Sequence, residues 1–366
     1  RPLITPPSKV KTKPRACNVG LARARGQLVV IYDAEDRPEP DQLKKAVATF
    51  RGLPPEVICV QSRLNYFNPR QNLLTRFFTL EYSFWFDLFL PGLSVTDAPI
   101  PLGGTSNHFK AQPLRKVGGW DYFNVAEDCD LGIRLAAAGF RTMTMDSTTW
   151  EEANSKVPNW VRQRSRWVKG YAQTYLVHMR HPLRLMRALG LRRFLSFQAI
   201  VGGTPFVLLM APVFWVMTAV WVLWQPGFIA ALFPPVFYYM GLFSLVFGNF
   251  TFFYLSLCGA VVRGNYDLTK YALLMPLYWM LQSWAAWKGC IQLITRPHYW
   301  EKTAHGLDQS DEVDVAALVR ASRRQRTSAF DAPFDLPATA PSIGAPAILP
   351  AVSPFAEVPD WLVFDV

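Results

Sequence analysis

The sequence predicts an α/β domain joined to a helical membrane region, with a disordered tail behind them. Three observations predict it. Residues 1–195 of the 366 mix charged and apolar side chains as a domain with its own buried core does. Between 197 and 294 charge nearly vanishes and Trp, Phe, Tyr and Leu dominate, in stretches long enough for a bilayer. From about 308 the composition turns to Ala, Pro and Ser, which bury too little apolar surface to order themselves.

The first element is a strand. Residues 27–32 (QLVVIY) form a short β-branched run ending in Asp33-Ala34-Glu35-Asp36. This reads as a buried strand that delivers carboxylates at its C-terminal end, where open α/β sheets place their sites. Residues 38–50 read as a helix with proline near its start and Leu43, Val47 and Phe50 on one face. Residues 57–62 read as a second strand, and 73–90 as an aromatic helix resting at the membrane surface. The helix expected at 126–138 opens with three acids, which suits a helix N-terminus, and 141–145 is the next strand.

Residues 197–224 and 236–262 are the two expected membrane crossings. In a third apolar stretch, 271–294, the side chains Gln282, Lys288, Gln292 and Arg296 gather on about one third of the helical circumference, with Trp279, Trp284 and Trp287 as interfacial aromatics. That is the pattern of a helix lying in the interface or sealing a bundle. Two crossings return the third stretch to the cytoplasmic side, which favours the interfacial reading.

The net charge of +11 raises the question of nucleic acid. The pattern answers against it. Arg180, Arg184, Arg187, Arg192 and Arg193 stand just ahead of the first apolar run, where they hold a loop on the cytoplasmic side and face anionic headgroups. No zinc-finger or RNA-binding signature is present. Cys17, Cys59, Cys129, Cys258 and Cys290 lie far apart without a CxxC pair, which speaks against a zinc site or disulfide framework and fits a reducing compartment.

Three clusters carry chemistry. Asp33 and Glu35, one residue apart at a strand end, suit a hard divalent cation that keeps positions open for phosphate oxygens; an ordinary acidic turn gives the same pattern. Glu127 and Asp128 suit a general base, or simply complement a helix N-terminus. In Gln163-Arg164-Ser165-Arg166-Trp167, arginine forks suit phosphate and indole suits a sugar face, while a basic surface helix beside a membrane is the plainer account. The loop Gly103-Gly104-Thr105-Ser106-Asn107-His108 reads either as site lining or as a turn that needs glycine. His298 and His305 lack any further ligand pattern, and His178 and His181 read as ordinary surface residues.

An acidic pair at 33 and 35, Glu-Asp at 127–128 and Gln-Arg-x-Arg-Trp at 163–167, all ahead of membrane helices, resemble the processive family 2 glycosyltransferases. These are cellulose synthase, hyaluronan synthase and their bacterial relatives, with D-x-D, T/E-E-D and Q-x-x-R-W motifs. The resemblance spans residues 11–306, and Pro297 to Gly306 resembles the family's W-x-K-T-x-H-G element.

The resemblance implies a GT-A-like catalytic domain over 1–195, a membrane region of two or three helices over 196–296, a cytoplasmic segment at 297–307 and the tail at 308–366. Asp33 and Glu35 would hold Mg²⁺ or Mn²⁺ and the diphosphate, with Glu35 in place of the usual second aspartate. Asp128 would be the base and Glu127 its neighbour; Gln163, Arg164 and Arg166 would meet the diphosphate or acceptor, and Trp167 the acceptor sugar. Lys13 and Asn18 would approach the nucleotide, Thr105 and Asn107 the acceptor, and Lys302 the diphosphate from a lid-like segment.

The implied reaction is inverting transfer from a UDP-sugar donor to a growing β-linked glycan acceptor, at the cytoplasmic face of the cell's inner membrane. The lipid bilayer and accessory export subunits would be its partners. A non-processive enzyme acting on a lipid carrier, or an inactive fragment or membrane subunit, is the alternative. The chain begins at Arg1, and the family's first strand belongs ahead of Lys11, so an N-terminally truncated enzyme is expected. Ala126 stands where the family commonly has Thr.

Overall fold

The structure, a computed structural model, describes residues 3–8, 11–304 and 306 together with Arg320. The tail reading of 308–366 therefore lies outside the described residues apart from Arg320, as does His305. In chain order the α/β part runs α1 (Lys13–Arg23), β1 (Leu28–Ile31), β2 (Arg37–Pro38), α2 (Gln42–Gly52), β3 (Val57–Tyr66), α3 (Leu73–Phe84), α4 (Leu90–Val95), β4 (Asn107–Lys110), α5 (Ala111–Lys116), α6 (Glu127–Ala137), β5 (Arg141–Glu151), α7 (Val157–His178) and α8 (Pro182–Leu189). The helices Leu191–Trp224 and Pro235–Val262 come next, then a final helix, Met275–Thr295.

The sheet is mixed, in the order β1-β4-β3-β5-β2. β3 and β5 are parallel, whereas β4 runs antiparallel to both β1 and β3. The strands β1, β3 and β5 consequently end on one edge, and β4 begins there. β3 is buried along nearly its whole length, apolar over Val57 to Val60 and polar at Gln61, Ser62, Arg63 and Asn65 toward the site end.

The expectation for α2 changes. α2 starts at Gln42, because Pro38 pairs with Thr149 as part of β2. Its inward face is Gln42, Ala46 and Phe50, leaving Leu43 and Val47 exposed. The reason is polar: the Gln42 amide donates to Ser147 and Thr149 and accepts from the Tyr32 hydroxyl, and these bonds set the helix rotation. α3 buries Phe77, Phe78, Leu80 and Tyr82 in the main core, and its C-terminal end meets the helix Pro235–Val262, where the Phe84 and Phe252 rings lie 6.0 Å apart. Asn72 caps it in a reciprocal box with Thr75, and a widened turn at Trp85–Phe89 carries it on into α4.

Leu191–Trp224 and Pro235–Val262 are long and apolar enough to cross a membrane, with only 0% and 17% of their most apolar stretches buried. That exposure separates them from core helices of a soluble domain. The polar stripe on Met275–Thr295 turns inward. Gln282 donates to Glu81 on α3, while Lys288 and Gln292 donate to Glu301. A Cβ on Gly289 would stand 2.5 Å from the Ser165 carbonyl, so this helix crosses α7 backbone to backbone. Its polar stripe is thereby fastened to the α/β domain, while Trp284 and Trp287 stay exposed on the other side.

Candidate active site

The site forms on the sheet edge where β1, β3 and β5 end. β1 passes into a tight turn in which the Asp36 amide donates to the Asp33 carbonyl at 3.1 Å. The Asp36 carboxylate closes it, accepting from the Asp33 amide at 2.8 Å and from the Thr105 hydroxyl. Thr105 is thus buried beneath the turn as a brace, not presented to an acceptor. Burial, with help from Asp33, pushes Asp36 up to about 6, and its Oδ1 is buried without a hydrogen-bond partner. Asp33 and Glu35 in this turn are both half-buried.

From α1, Lys13 pairs with Asp33 and donates to the Gly104 carbonyl at 2.7 Å. Burial alone would lower the Lys13 ammonium, but Asp33, with Glu127 and Asp128 behind it, raises it and keeps it charged. The loop at Gly103–Asn107 is shaped from below. The Gln61 side chain accepts from the Gly103 amide and donates to the Thr105 carbonyl, and Asn107 donates to the Gly103 carbonyl. Asn107 is buried, so it too shapes the loop. A Cβ on Gly104 would lie 3.3 Å from Asp128 Oδ2 and 3.8 Å from Lys13 Nζ. Glycine here lets a carboxylate of α6 and the ammonium of α1 approach the same point.

The three acids at the start of α6 divide their work. Glu127 is buried, and burial reinforced by Asp128 lifts it to about 7. Asp128 is half-buried and also raised by burial; its Oδ1 accepts from the Cys129 amide at 2.8 Å, leaving Oδ2 toward Gly104. Asp130 belongs to the interior: it accepts from Arg134 at 2.7 Å and faces His178 Nε2 at 2.9 Å. Burial alone would raise it, but Arg134 and His178 bring it down to about 2. His178 is therefore a core residue, contrary to its surface reading, while His181 is exposed.

On α7 the expected basic stripe splits. Arg166 faces the site: burial lowers its guanidinium against the pull of Glu127, Asp128 and Asp33, and the Trp300 ring lies 4.5 Å from it. Arg164 points the other way. It makes a two-pronged pair with Glu81 and meets the Tyr278 hydroxyl at 3.0 Å, amid Phe78, Trp160 and Trp167. Its expected diphosphate contact is thus replaced by a structural one. Trp167 is half-buried against Phe78 and Tyr82. Gln163 accepts from Asn154 at 3.1 Å. The Asn18 amide is taken at both ends by the Trp120 backbone, at 2.7 and 2.9 Å, which makes it a brace for the loop before α6.

The segment after the last helix lies over α7. The Lys169 ammonium donates to the Tyr299 carbonyl at 2.6 Å, Glu301 accepts from Lys288 and Gln292, and Asn159 holds the Ala304 backbone at both its N–H and its C=O. Lys302 on this segment is exposed.

Two participants lay outside the sequence reading: Asp36, and Glu151 at the end of β5. Burial lifts the Glu151 carboxyl well above the usual range, and Asp36, Asp33 and Glu35 add to it. Acids at strand ends are a signal, but proximity to β1 depends on sheet order. Among the described residues no three acids, cysteines or histidines already form a metal cage. The donor set nonetheless fits a hard divalent ion: an excess of carboxylates meets in a poorly hydrated place, with one Asp36 oxygen unpartnered.

The profile of the glycosyl transferase family group 2 matches residues 28–297. Among curated proteins, probable glycosyltransferase YdaM of Bacillus subtilis is 30% identical over 50% of this chain and 44% of its own. Probable glucomannan 4-beta-mannosyltransferase 10 of Arabidopsis thaliana is 31% identical over 40% and 27%, and glucomannan 4-beta-mannosyltransferase 2 of the same plant 28% over 46% and 32%. The chain thus spans less than half the length of these relatives. A solved structure of mannosyltransferase PcManGT from Pyrobaculum calidifontis, in complex with GDP-Man and Mn2+, overlays with a TM-score of 0.44 at 18% identity, covering 78% of this chain and 67% of that one. With the family profile running from the first strand of the sheet to the end of the last helix, this chain belongs to glycosyl transferase family group 2 and has its GT-A-like fold.

Proposed function

We propose that the protein transfers a sugar from a nucleoside diphosphate donor to a glycan hydroxyl, with inversion, at the cytoplasmic face of a membrane that its two long apolar helices cross. The observation that carries this reading is the meeting of Asp128 Oδ2 and Lys13 Nζ at Gly104, beside the Asp33 turn and in front of Arg166.

Asp128 Oδ2 takes the proton of the acceptor hydroxyl as its oxygen bonds to the anomeric carbon. The bond from that carbon to the diphosphate oxygen breaks, and the nucleoside diphosphate leaves from the opposite face. A single base without a second carboxylate nucleophile gives inversion. Arg166 and Lys13 offset the charge that grows on the leaving diphosphate. A divalent cation, Mg²⁺ or Mn²⁺, would be held by Asp33 and Glu35 and would neutralise the same diphosphate. Glu127, whose carboxyl is raised by burial and by Asp128, holds its proton more tightly than a free glutamate and so limits the negative charge around the base.

The motif order favours a UDP-sugar and a growing polymer, whereas the names of the mannosyltransferase relatives make a nucleotide-activated mannose a necessary member of any donor panel. The test is incubation of the membrane-reconstituted protein with labelled UDP- and GDP-sugars and a divalent salt, wild type beside Asp128→Asn. Label entering glycan only with wild type supports the reading. Equal incorporation by the two overturns the base assignment, and short lipid-linked products point to the lipid-carrier alternative.

A further inference from the structure

No acidic residue occurs between Glu152 and Asp267, a stretch that contains α7, α8 and both long apolar helices. Charge inside it is therefore balanced only from elsewhere in the chain or from outside it. The structure shows where balance fails. Arg193 is drawn away from the surface, donating to Asp97 at 3.1 Å. Arg180, Arg184, Arg187 and Arg192 stay exposed, and none has an ion pair among the described residues. Beside them Leu183, Leu191 and Leu195 are 63%, 64% and 56% exposed at the entry of the helix Leu191–Trp224.

Exposed leucines interleaved with unpaired arginines, at the mouth of a membrane-length helix, fit one kind of partner. Guanidinium groups pair with phosphate oxygens while leucines enter the acyl boundary. We infer that the outer face of α8 and the start of the next helix form a docking surface for anionic phospholipid. The inference rests on the membrane reading above and adds a lipid preference to it.

The opposite face of α8 gives this surface a consequence. Leu185 and Leu189 are buried with Phe197 and Val201 against Ala126, Cys129, Ile133, Ala136 and Ala137. α8 is thus packed on the helix whose first turn carries Glu127 and Asp128. Lipid bound outside would steady the support of the proposed base.

The experiment uses the chain reconstituted in phosphatidylcholine bilayers, probed with spin-labelled phosphatidylglycerol and spin-labelled phosphatidylcholine. Motionally restricted signal from both lipids reports a membrane-inserted protein. We expect phosphatidylglycerol to associate about five-fold better, about the worth of a single arginine near the headgroups, because salt screens exposed charges and the lipids exchange in competition. In the triple variant R184Q/R187Q/R192Q that preference should fall to near one while the restricted phosphatidylcholine signal persists. These side chains are exposed, so the fold is retained; the variant R51Q/R162Q, at exposed arginines remote from α8 in sequence, should keep the preference. Equal association of the two lipids with wild type, or an undiminished preference in the triple variant, overturns the docking surface and leaves the membrane reading intact. Absence of restricted signal from either lipid overturns both.

Discussion

The two sides of α7 are built from one motif and do opposite things. Arg166 looks across to Asp33, Glu127 and Asp128, where burial lowers its guanidinium against their pull. Arg164, two residues earlier and about 200° away around the helix, is spent on Glu81, Tyr278 and a ring of aromatics. One side is electrostatically unfinished and the other is complete. The unfinished side is where substrate chemistry belongs, because a buried cation without its full set of partners persists only when something else is selected for.

The sharpest test of this contrast is on the unfinished side. Asp128→Asn keeps size and the Cys129 contact but removes the proton acceptor. Transfer should fall by about 10²–10⁴-fold, while the thermal midpoint stays level or rises, since burial already disfavours the charge. A large loss of midpoint would place Asp128 with the structural acids. The paired experiment is on the complete side. Arg164→Ala leaves Glu81 half-buried without its fork and should destabilise the protein by about 3 kcal/mol, read from denaturant midpoints. Arg166→Lys, by contrast, should change stability little and raise the donor KM on the order of ten-fold, because a point charge replaces a fork. If the two substitutions had interchangeable effects, the division between the sides of α7 would be wrong.

A third substitution acts between the two sides. A Cβ on Gly170 would sit 2.3 Å from the Ala126 Cβ and 2.7 Å from its amide nitrogen, where α7 crosses the start of α6. Gly170→Ala must push the two helices apart, costing about 1–3 kcal/mol of stability as overpacking does, and must lower transfer because Glu127 and Asp128 move with α6. Full activity would mean that α6 is placed by something other than α7.

The same contrast marks what was legible in the sequence. Strand β1 with its acids, the acid-rich start of α6 and the two long apolar helices came from local pattern, since periodicity and strand-end acids are local properties. The split between Arg164 and Arg166 was not legible, because it depends on Glu81 and on a helix more than a hundred residues onward. The rotation of α2 failed for the same reason: an apolar face at Leu43 and Val47 lost to hydrogen bonds made by Gln42 with β5. His178 has the sequence context of a surface residue, and only the fold brings Asp130 beneath it. Thr105, Asn107 and Asn18 stand in the right loops, yet the Thr105 hydroxyl, the Asn107 amide nitrogen and both ends of the Asn18 amide are used to build those loops. Of their polar side-chain atoms, only Asn107 Oδ1 is left without a partner among the described residues. Motif order named the residues of the proposed site; only the packing separated those that shape its loops from those that face it.

The smallest effect expected is also the most specific to the unfinished side. Glu127 has its carboxyl raised from 4.5 to about 7, first by burial and then by Asp128. A carboxyl raised on folding binds a proton more tightly in the folded chain, so its stabilising contribution is full below about 4.5 and is lost as pH climbs through about 7. Wild type, without donor or metal, should therefore lose stability across that window. Glu127→Gln should flatten this part of the profile, and the two proteins should converge at its acid end. Arg166 bears on the same point, because its guanidinium lowers the Glu127 carboxyl. Arg166→Gln should accordingly carry the loss on to higher pH and enlarge its total, from the same starting point, whereas Arg164→Gln should shift the whole curve downward without changing its slope. Parallel curves for all the variants would show that Glu127 stays ionised throughout, and the site side of α7 would then be as complete as the other.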